Sequence, residues 1–228
     1  MSLPISINKN ILLRVDLNDN EIYEDAIKST DSFNIFSASM YFNSIDYKKS
    51  IELLFKAVEL NNPHAIYFLS SVYYYGNYGI QINYEKAKEL LFKAVELENI
   101  DAINYLAYMY RNGNKIIEKN CEKAVKLYEK AIDIDDFNFD AMHNLVSMYY
   151  FGEGIPVNYK KAMIISKKLA NLGDDTAMFN LGCMYRLGQG VLIDYKIAKE
   201  WYERAAELGN IYAINNLELM LELSSAEN

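Results

Sequence analysis

A segment that recurs every 36 to 39 residues leaves few folds open to this chain. It begins Ala65-Ile-Tyr-Phe-Leu69-Ser70-Ser-Val-Tyr73. It returns as Ala102-Ile-Asn-Tyr-Leu106-Ala107-Tyr-Met-Tyr110, as Ala141-Met-His-Asn-Leu145-Val146-Ser-Met-Tyr149 and as Ala177-Met-Phe-Asn-Leu181-Gly182-Cys-Met-Tyr185, with Ala213-Ile-Asn-Asn-Leu217 closing the series. Each full unit has a second half, such as Tyr84-Glu-Lys-Ala87-Lys-Glu-Leu-Leu91-Phe-Lys-Ala94, matched by segments opening at Cys121 and Tyr195. The copy opening at Tyr159 carries Ser166 and Leu169 where the others have Leu or Tyr and Ala. A degenerate earlier copy spans 31–62, with Phe33, Ser37, Ala38 and Tyr41 followed by Tyr47-Lys-Lys-Ser50-Ile-Glu-Leu-Leu54. Such self-similarity marks stacked units, none of which can bury its apolar face alone.

Both halves read as helices. In the first half, positions one, two, five, six and nine are small or apolar, a one-sided pattern of 3.6-residue period. In the second half Ala87, Leu90, Leu91 and Ala94 make another stripe. The alanines let neighbouring helix axes approach to roughly 8 Å, and Leu69, Tyr73 and Leu91 fill the spaces left over. Between the halves stand Gly76 and Gly79, Gly113, Gly152 and Gly154, and Gly188 and Gly190, suited to helix ends that need positive φ. Ile80, Ile116, Ile155 and Val191 follow, each expected to return the chain to the core. The expected architecture is all-α, an array of antiparallel helix pairs. Residues 1–30 stand apart, with a short strand expected at Ile11–Val15 and a helix at Asp19–Ser29 capped by Asp19 or Asn20. They are expected to form an N-terminal cap for the first unit. A lone helix from Ile211 to about Glu222 covers the other end, and Ser224 to Asn228 are expected to fray.

Charge and composition remove whole classes of function. Of the 228 residues, 51% are hydrophobic, enough for a core, and the formal net charge is −8. Lysines alternate with glutamates, as in Tyr84-Glu85-Lys86-Ala87-Lys88-Glu89, so no basic stripe exists for nucleic acid. No run of about 18 apolar residues encodes a membrane span. The N-terminus lacks a charged start followed by an apolar stretch, which makes the cytoplasm the expected location; Met1-Ser2-Leu3 reads equally as a cloning remnant. His64 and His143 are the two histidines, and neither sits in metal-ligand spacing. No nucleophile elbow and no paired carboxylates appear, so neither catalysis nor a cofactor is expected. Gly-x-Gly in the turns lacks the preceding strand of a phosphate loop. Cys121 and Cys183 belong to different units, too far apart for the roughly 7 Å Cα separation of a disulfide.

The unit from Ala177 to Gly209 resembles the Sel-1-like repeat family, a relative of the tetratricopeptide repeat, through Leu181-Gly182-x-x-Tyr185-x-x-Gly188-x-Gly190-Val191 and Asp194-Tyr-x-x-Ala198-x-x-Trp201-Tyr202-x-x-Ala205-Ala206. The resemblance covers 31–210 as units 31–62, 63–99, 100–136, 137–174 and 175–210, with 211–228 as a capping helix and tail. The third unit departs from it by lacking the second turn glycine, and the first by having no long turn. The resemblance implies a right-handed α-solenoid superhelix with a concave groove, and a scaffold or adaptor role. The family's secreted branch has regularly paired cysteines, which this chain lacks.

By that alignment, positions three, seven, ten and eleven of each first helix face the groove. The candidate lane for a peptide or partner helix comprises Tyr67, Tyr74, Tyr75, Asn104, Tyr108, Arg111, His143, Tyr150, Phe151, Phe179 and Arg186. Tyr and Arg dominate interface hot spots. The competing expectation is that several of these aromatics pack between adjacent units. The Lys, Asn and Arg clamp that related domains use for chaperone tails is not assembled, since Tyr67, Ser71 and Tyr108 stand in its places. A monomeric protein-binding module is therefore the leading expectation. A regulatory or effector protein acting on an enzyme or host partner is the alternative. A glycan or small-ligand binder or hydrolase, which needs a deep polar pocket, stands behind both.

Overall fold

The computed structural model describes residues 18–226, with side chains through Met220. The strand expected at Ile11–Val15 lies outside the described residues. Among those described the chain is all-α, with twelve helices and no strand. They are α1 (Asp19–Lys28), α2 (Ser32–Phe42), α3 (Tyr47–Glu59), α4 (Pro63–Tyr75), α5 (Tyr84–Glu96), α6 (Ile100–Asn112), α7 (Cys121–Ile134), α8 (Phe139–Phe151), α9 (Tyr159–Asn171), α10 (Asp175–Leu187), α11 (Tyr195–Glu207) and α12 (Ile211–Ala226). The chain divides into two compact bodies. One runs to Tyr105 and includes Asn114–Ile117; the other comprises Leu106–Gly113 and Glu118 onward. In the first, α2 packs on α3, α3 on α4, and α4 on α5. In the second, α7 to α12 pack each against the next.

Asparagine and aspartate set where these helices begin. The side chains of Asp46, Asn83, Asn120, Asn158 and Asp194 cap the second-half helices by accepting early backbone N–H groups. Their own N–H groups donate to carbonyls at the end of the preceding helix, as in Asn83 to Tyr73 (2.9 Å) and Asn158 to Tyr149 (2.7 Å). One residue thus starts a helix and closes the hairpin. The first-half helices are capped by Asn62, Asn99, Asn138, Asp174 and Asn210, which accept from the N–H of Ala65, Ala102, Ala141, Ala177 and Ala213. These four asparagines are buried. Several also reach back to the preceding first-half helix. Asn62 Nδ2 meets Ser32 Oγ at 3.4 Å, Asn99 Nδ2 meets His64 Nδ1 at 3.0 Å, and Asn210 Nδ2 donates to Asp175 Oδ2 at 2.7 Å. Asp174 Oδ2 meets His143 Nε2 at 2.8 Å in the same way. A buried polar group tied at both ends escapes the cost of leaving water unpaired.

Most of the expected stripe positions are buried, but Tyr73, Tyr110, Tyr185 and Leu90 are only half-buried, and one position is added. Ala65, Ile66, Leu69, Ala102, Ile103, Leu106, Ala141, Met142, Leu145, Ala177, Met178 and Leu181 are all core residues. So are Val72, Met109, Met148 and Met184 at the eighth position, which the expected pattern omitted. Positions one, five and eight fall on one line of a 3.6-residue helix. A cation–π contact recurs across the hairpins, with Lys86 over Tyr73 (4.7 Å), Lys123 over Tyr110 (5.2 Å) and Lys161 over Tyr149 (4.8 Å).

Gly182 makes room for a large side chain on the neighbouring helix. A Cβ on Gly182 would lie 2.5 Å from the ring of Tyr202, which is fully buried. One unit earlier the corresponding residues are Val146 and Ser166, both buried, with the larger side chain on the other helix. Ser166 leaves its hydroxyl without a hydrogen-bond partner.

Four expectations change. α1 is capped by Asn18, whose side chain takes the N–H of Glu21 while Glu21 Oε2 accepts the N–H of Asn18 at 2.9 Å. It ends at Lys28, one residue early, with Ser29 in extended conformation. In the third unit Ile117, not Ile116, is buried. Its turn is as long as that after Gly76, so the fourth residue beyond the glycine points inward in both. Asn114 stands in for the missing glycine, its side chain accepting from the N–H of Ile116 and Ile117. Finally, α12 continues through Ala226, past Ser224, because no Gly or Pro follows Gly209.

Candidate functional site

The candidate lane residues all lie on first-half helices, and each body holds its own share. In the first body Tyr67 packs edge-on against Tyr105 at 6.0 Å, and Tyr74 bridges Tyr75 (4.9 Å) and Tyr84 (5.5 Å). Burial pushes the Tyr67 and Tyr105 hydroxyls well above the usual tyrosine range. Lys115 Nζ donates to Tyr84 Oη at 3.1 Å. Tyr75 remains 59% exposed and Asn104 is half-buried.

In the second body Tyr108 and Phe151 are exposed, at 52% and 68%. Tyr150 lies between Phe151 (4.9 Å) and Tyr159 (5.3 Å) and donates to Gln189 Oε1 at 2.6 Å. Phe179 sits 5.8 Å from Tyr202 and 5.8 Å from Tyr212. His143 is tied to Asp174. Arg111 Nε donates to Glu153 Oε2 at 2.7 Å, Nη1 to Asn144 Oδ1 at 2.5 Å and Nη2 to Ser147 Oγ at 3.2 Å. Arg186 Nε donates to Tyr202 Oη at 3.3 Å, and that hydroxyl donates to Cys183 Sγ at 3.4 Å.

Most of the lane residues fall into two sets, with Asn104 and Arg186 half-buried between them. Tyr67, Tyr74, His143, Tyr150, Phe179 and Arg111 are engaged with side chains of other helices or of the adjoining turn. Tyr75, Tyr108 and Phe151 present aromatic area to solvent. The reading missed the tyrosines that open second-half helices, Tyr84 and Tyr159, which flank the lane. Their recurrence with Tyr47 and Tyr195 was visible as a repeat position. It also missed Glu153 and Gln189, turn residues that differ between units and so carry no pattern.

Two recesses open on the second body, of about 260 and 370 Å³. Glu129, Tyr149 and Lys161 line both, with Tyr149 Oη donating to Glu129 (3.1 Å) and accepting from Lys161 (3.1 Å). Because the same Lys–Tyr contact recurs in other units, this cluster is a stitch between helices rather than an acid–base site. Among the described residues no group of three or more His, Cys, Asp or Glu is placed to hold a metal ion. No described helix is long and apolar enough to cross a membrane. Cys121 and Cys183 are free thiols.

A family model for the Sel1 repeat matches residues 37–62, 63–99, 100–136, 139–174 and 175–210, well over half the chain. The chain belongs to the Sel1 repeat family. Its Sel1 fold is shared with solved structures of low sequence identity. A Sel1 repeat protein from Oxalobacter formigenes superposes with a TM-score of 0.69 at 23% identity, covering 89% of this chain and 58% of that one. The protein c5321, a protective antigen of uropathogenic Escherichia coli strains, gives 0.52 at 23% identity over 92% and 53%. A Sel1 repeat protein from Klebsiella pneumoniae gives 0.51 at 20% identity over 89% and 98%. The chain thus spans little more than half the length of the first two. No protein with a curated description matches it by sequence. Sel1 repeats in general mediate protein–protein interactions and are typically non-enzymatic.

Proposed function

We propose that this Sel1 repeat chain is an adaptor that holds a peptide or a helix of a partner protein against its first-half helices. The observation that carries the reading is the contrast between repeated and unrepeated positions. The repeated positions one, five and eight of the four full first-half helices are buried, whereas Tyr75, Tyr108 and Phe151, at positions that vary between units, expose more than half of their surface. Large aromatics give contact area at low entropic cost and are over-represented among residues that dominate binding energy. Binding here is an equilibrium on a preformed surface and needs no cofactor.

The test replaces Tyr75, Tyr108 and Phe151 together by alanine. A partner captured by the parent chain in a quantitative pulldown should bind the variant at least about tenfold more weakly, as expected when interface aromatics are truncated. Helix content and melting temperature should hardly change. Unchanged capture by a folded variant refutes the reading.

A further inference from the structure

Two arginines occupy the tenth position of a first helix, Arg111 and Arg186, and their surroundings differ in one respect. Arg111 is neutralised. Its Nε and Nη2 grip Glu153 Oε2 at 2.7 and 2.5 Å, and Ser147 Oγ donates to the other carboxylate oxygen at 3.0 Å. Asn144 takes a further donor. All three partners come from the unit that follows. Among the described residues Arg186 has no such set. At the matching sequence positions stand Asn216, Leu219 and Ser225, none of them acidic. Among the described residues no Asp or Glu makes an ion pair with Arg186.

Arg186 is nonetheless half-buried and held in place. Tyr202, fully buried beneath it, accepts from Nε. Burial drives the Tyr202 hydroxyl well above the usual tyrosine range, so it stays protonated and does not offset the guanidinium charge. A guanidinium carries five N–H donors in a fixed fork that matches a carboxylate. Beside it stand Leu187, 50% exposed, and the Tyr150–Phe151 pair, which reaches the same turn through Gln189.

We propose that Arg186 is the docking point for an aspartate or glutamate side chain of the partner, with a neighbouring apolar residue of that partner seated on Phe151 and Leu187. The proposal rests on the partner-binding reading above and names the chemistry of the partner. The Arg111–Glu153 pair is the template: the partner supplies to Arg186 what the following unit supplies to Arg111.

The probe is a phage-displayed library of random peptides of roughly twelve residues, enough for about three helical turns. Enriched sequences are resynthesised with amidated C-termini, so that only side chains offer carboxylates, and measured by fluorescence anisotropy. Enriched peptides should carry Asp or Glu within about four residues of a large apolar residue, the spacing of one helical face. Replacing that acid by its amide should weaken binding at least about tenfold, a typical loss for one charged hydrogen-bonded pair. Arg186→Met should cause the same loss and leave the amide peptide no weaker than before. Arg186→Lys, which keeps the charge without the fork, should retain part of the affinity and guards against misfolding of the Met variant. Peptides that lose affinity with Phe151→Ala yet lack an acid, or ignore Arg186→Met, overturn the assignment of Arg186 and leave the partner-binding reading standing. If no peptide binds in a way that Phe151→Ala weakens, both fall.

Discussion

Gly182 offers a test in which two physical effects predict opposite signs. Replacing a helix-interior glycine by alanine stabilises a helix by about 1 kcal/mol through propensity alone. At Gly182 the added Cβ would come within 2.5 Å of two ring atoms of Tyr202. That ring has little room to retreat, since it is fully buried, packs 5.8 Å from Phe179, and ties its hydroxyl to Arg186 and Cys183. Overpacking of this kind costs typically about 1–3 kcal/mol, and an immobile ring puts Gly182→Ala toward the upper end. The net expectation is a loss of about 1–2 kcal/mol, or a fall in melting temperature of roughly 2–8 °C for a chain of this size. Calorimetry or urea unfolding measures it directly. Tyr202→Leu recreates the pairing of Ser70 with Leu91 found earlier in the chain, and in its presence Gly182→Ala should cost at least about 1 kcal/mol less. If Gly182→Ala raises stability, or if the two changes are additive, the size-matching account is wrong.

Three further outcomes follow from the packing. Ser166→Ala removes a buried hydroxyl without a partner and should stabilise the chain by about 1 kcal/mol, seen as a higher urea midpoint. Glu153→Gln leaves Arg111 without its carboxylate; because the pair is partly exposed, the loss should be about 1 kcal/mol and smaller in high salt, read from urea midpoints at two salt concentrations. Alkaline titration should unfold the protein above pH 10. Burial raises the Tyr128 hydroxyl to about 12 and those of Tyr67, Tyr105 and Tyr202 further. The unfolded chain ionises first, so the stability is complete below pH 10 and lost as pH rises through the folded values, by about 1.4 kcal/mol per pH unit for each tyrosine. Phenolate absorbance that appears without hysteresis or unfolding near pH 10 for all tyrosines contradicts this.

The helix pairs were legible because alanine and leucine recur at fixed offsets, and periodicity reports which side of a helix is buried. The eighth-position methionines belong to the same pattern, but the tyrosines that follow them are the more conspicuous recurrence. Ile117 was misplaced because a turn without its second glycine gives no internal marker, and counting from Gly113 alone decides between neighbours. The candidate lane was less legible. Sequence separation places Arg111 and Tyr150 on the right helices, yet whether each is tied down depends on residues one unit away, Glu153 and Gln189, which stand in turns and follow no period. Phe151 and Tyr75 share a position, and their exposure agrees; Tyr74 and Tyr150 share another, and both are drawn inward by the tyrosine that opens the next helix.

The buried asparagines have a bearing on how such chains change length. Asn62, Asn99, Asn138 and Asn210 each start a first-half helix with the same side-chain bond to the third helical N–H. A gene segment cut from one such codon to the next encodes a cassette whose two ends are chemically interchangeable. Duplication or excision between them leaves every surviving helix start intact, so units can be gained or lost in whole steps while fractional insertions meet an uncapped, desolvated backbone.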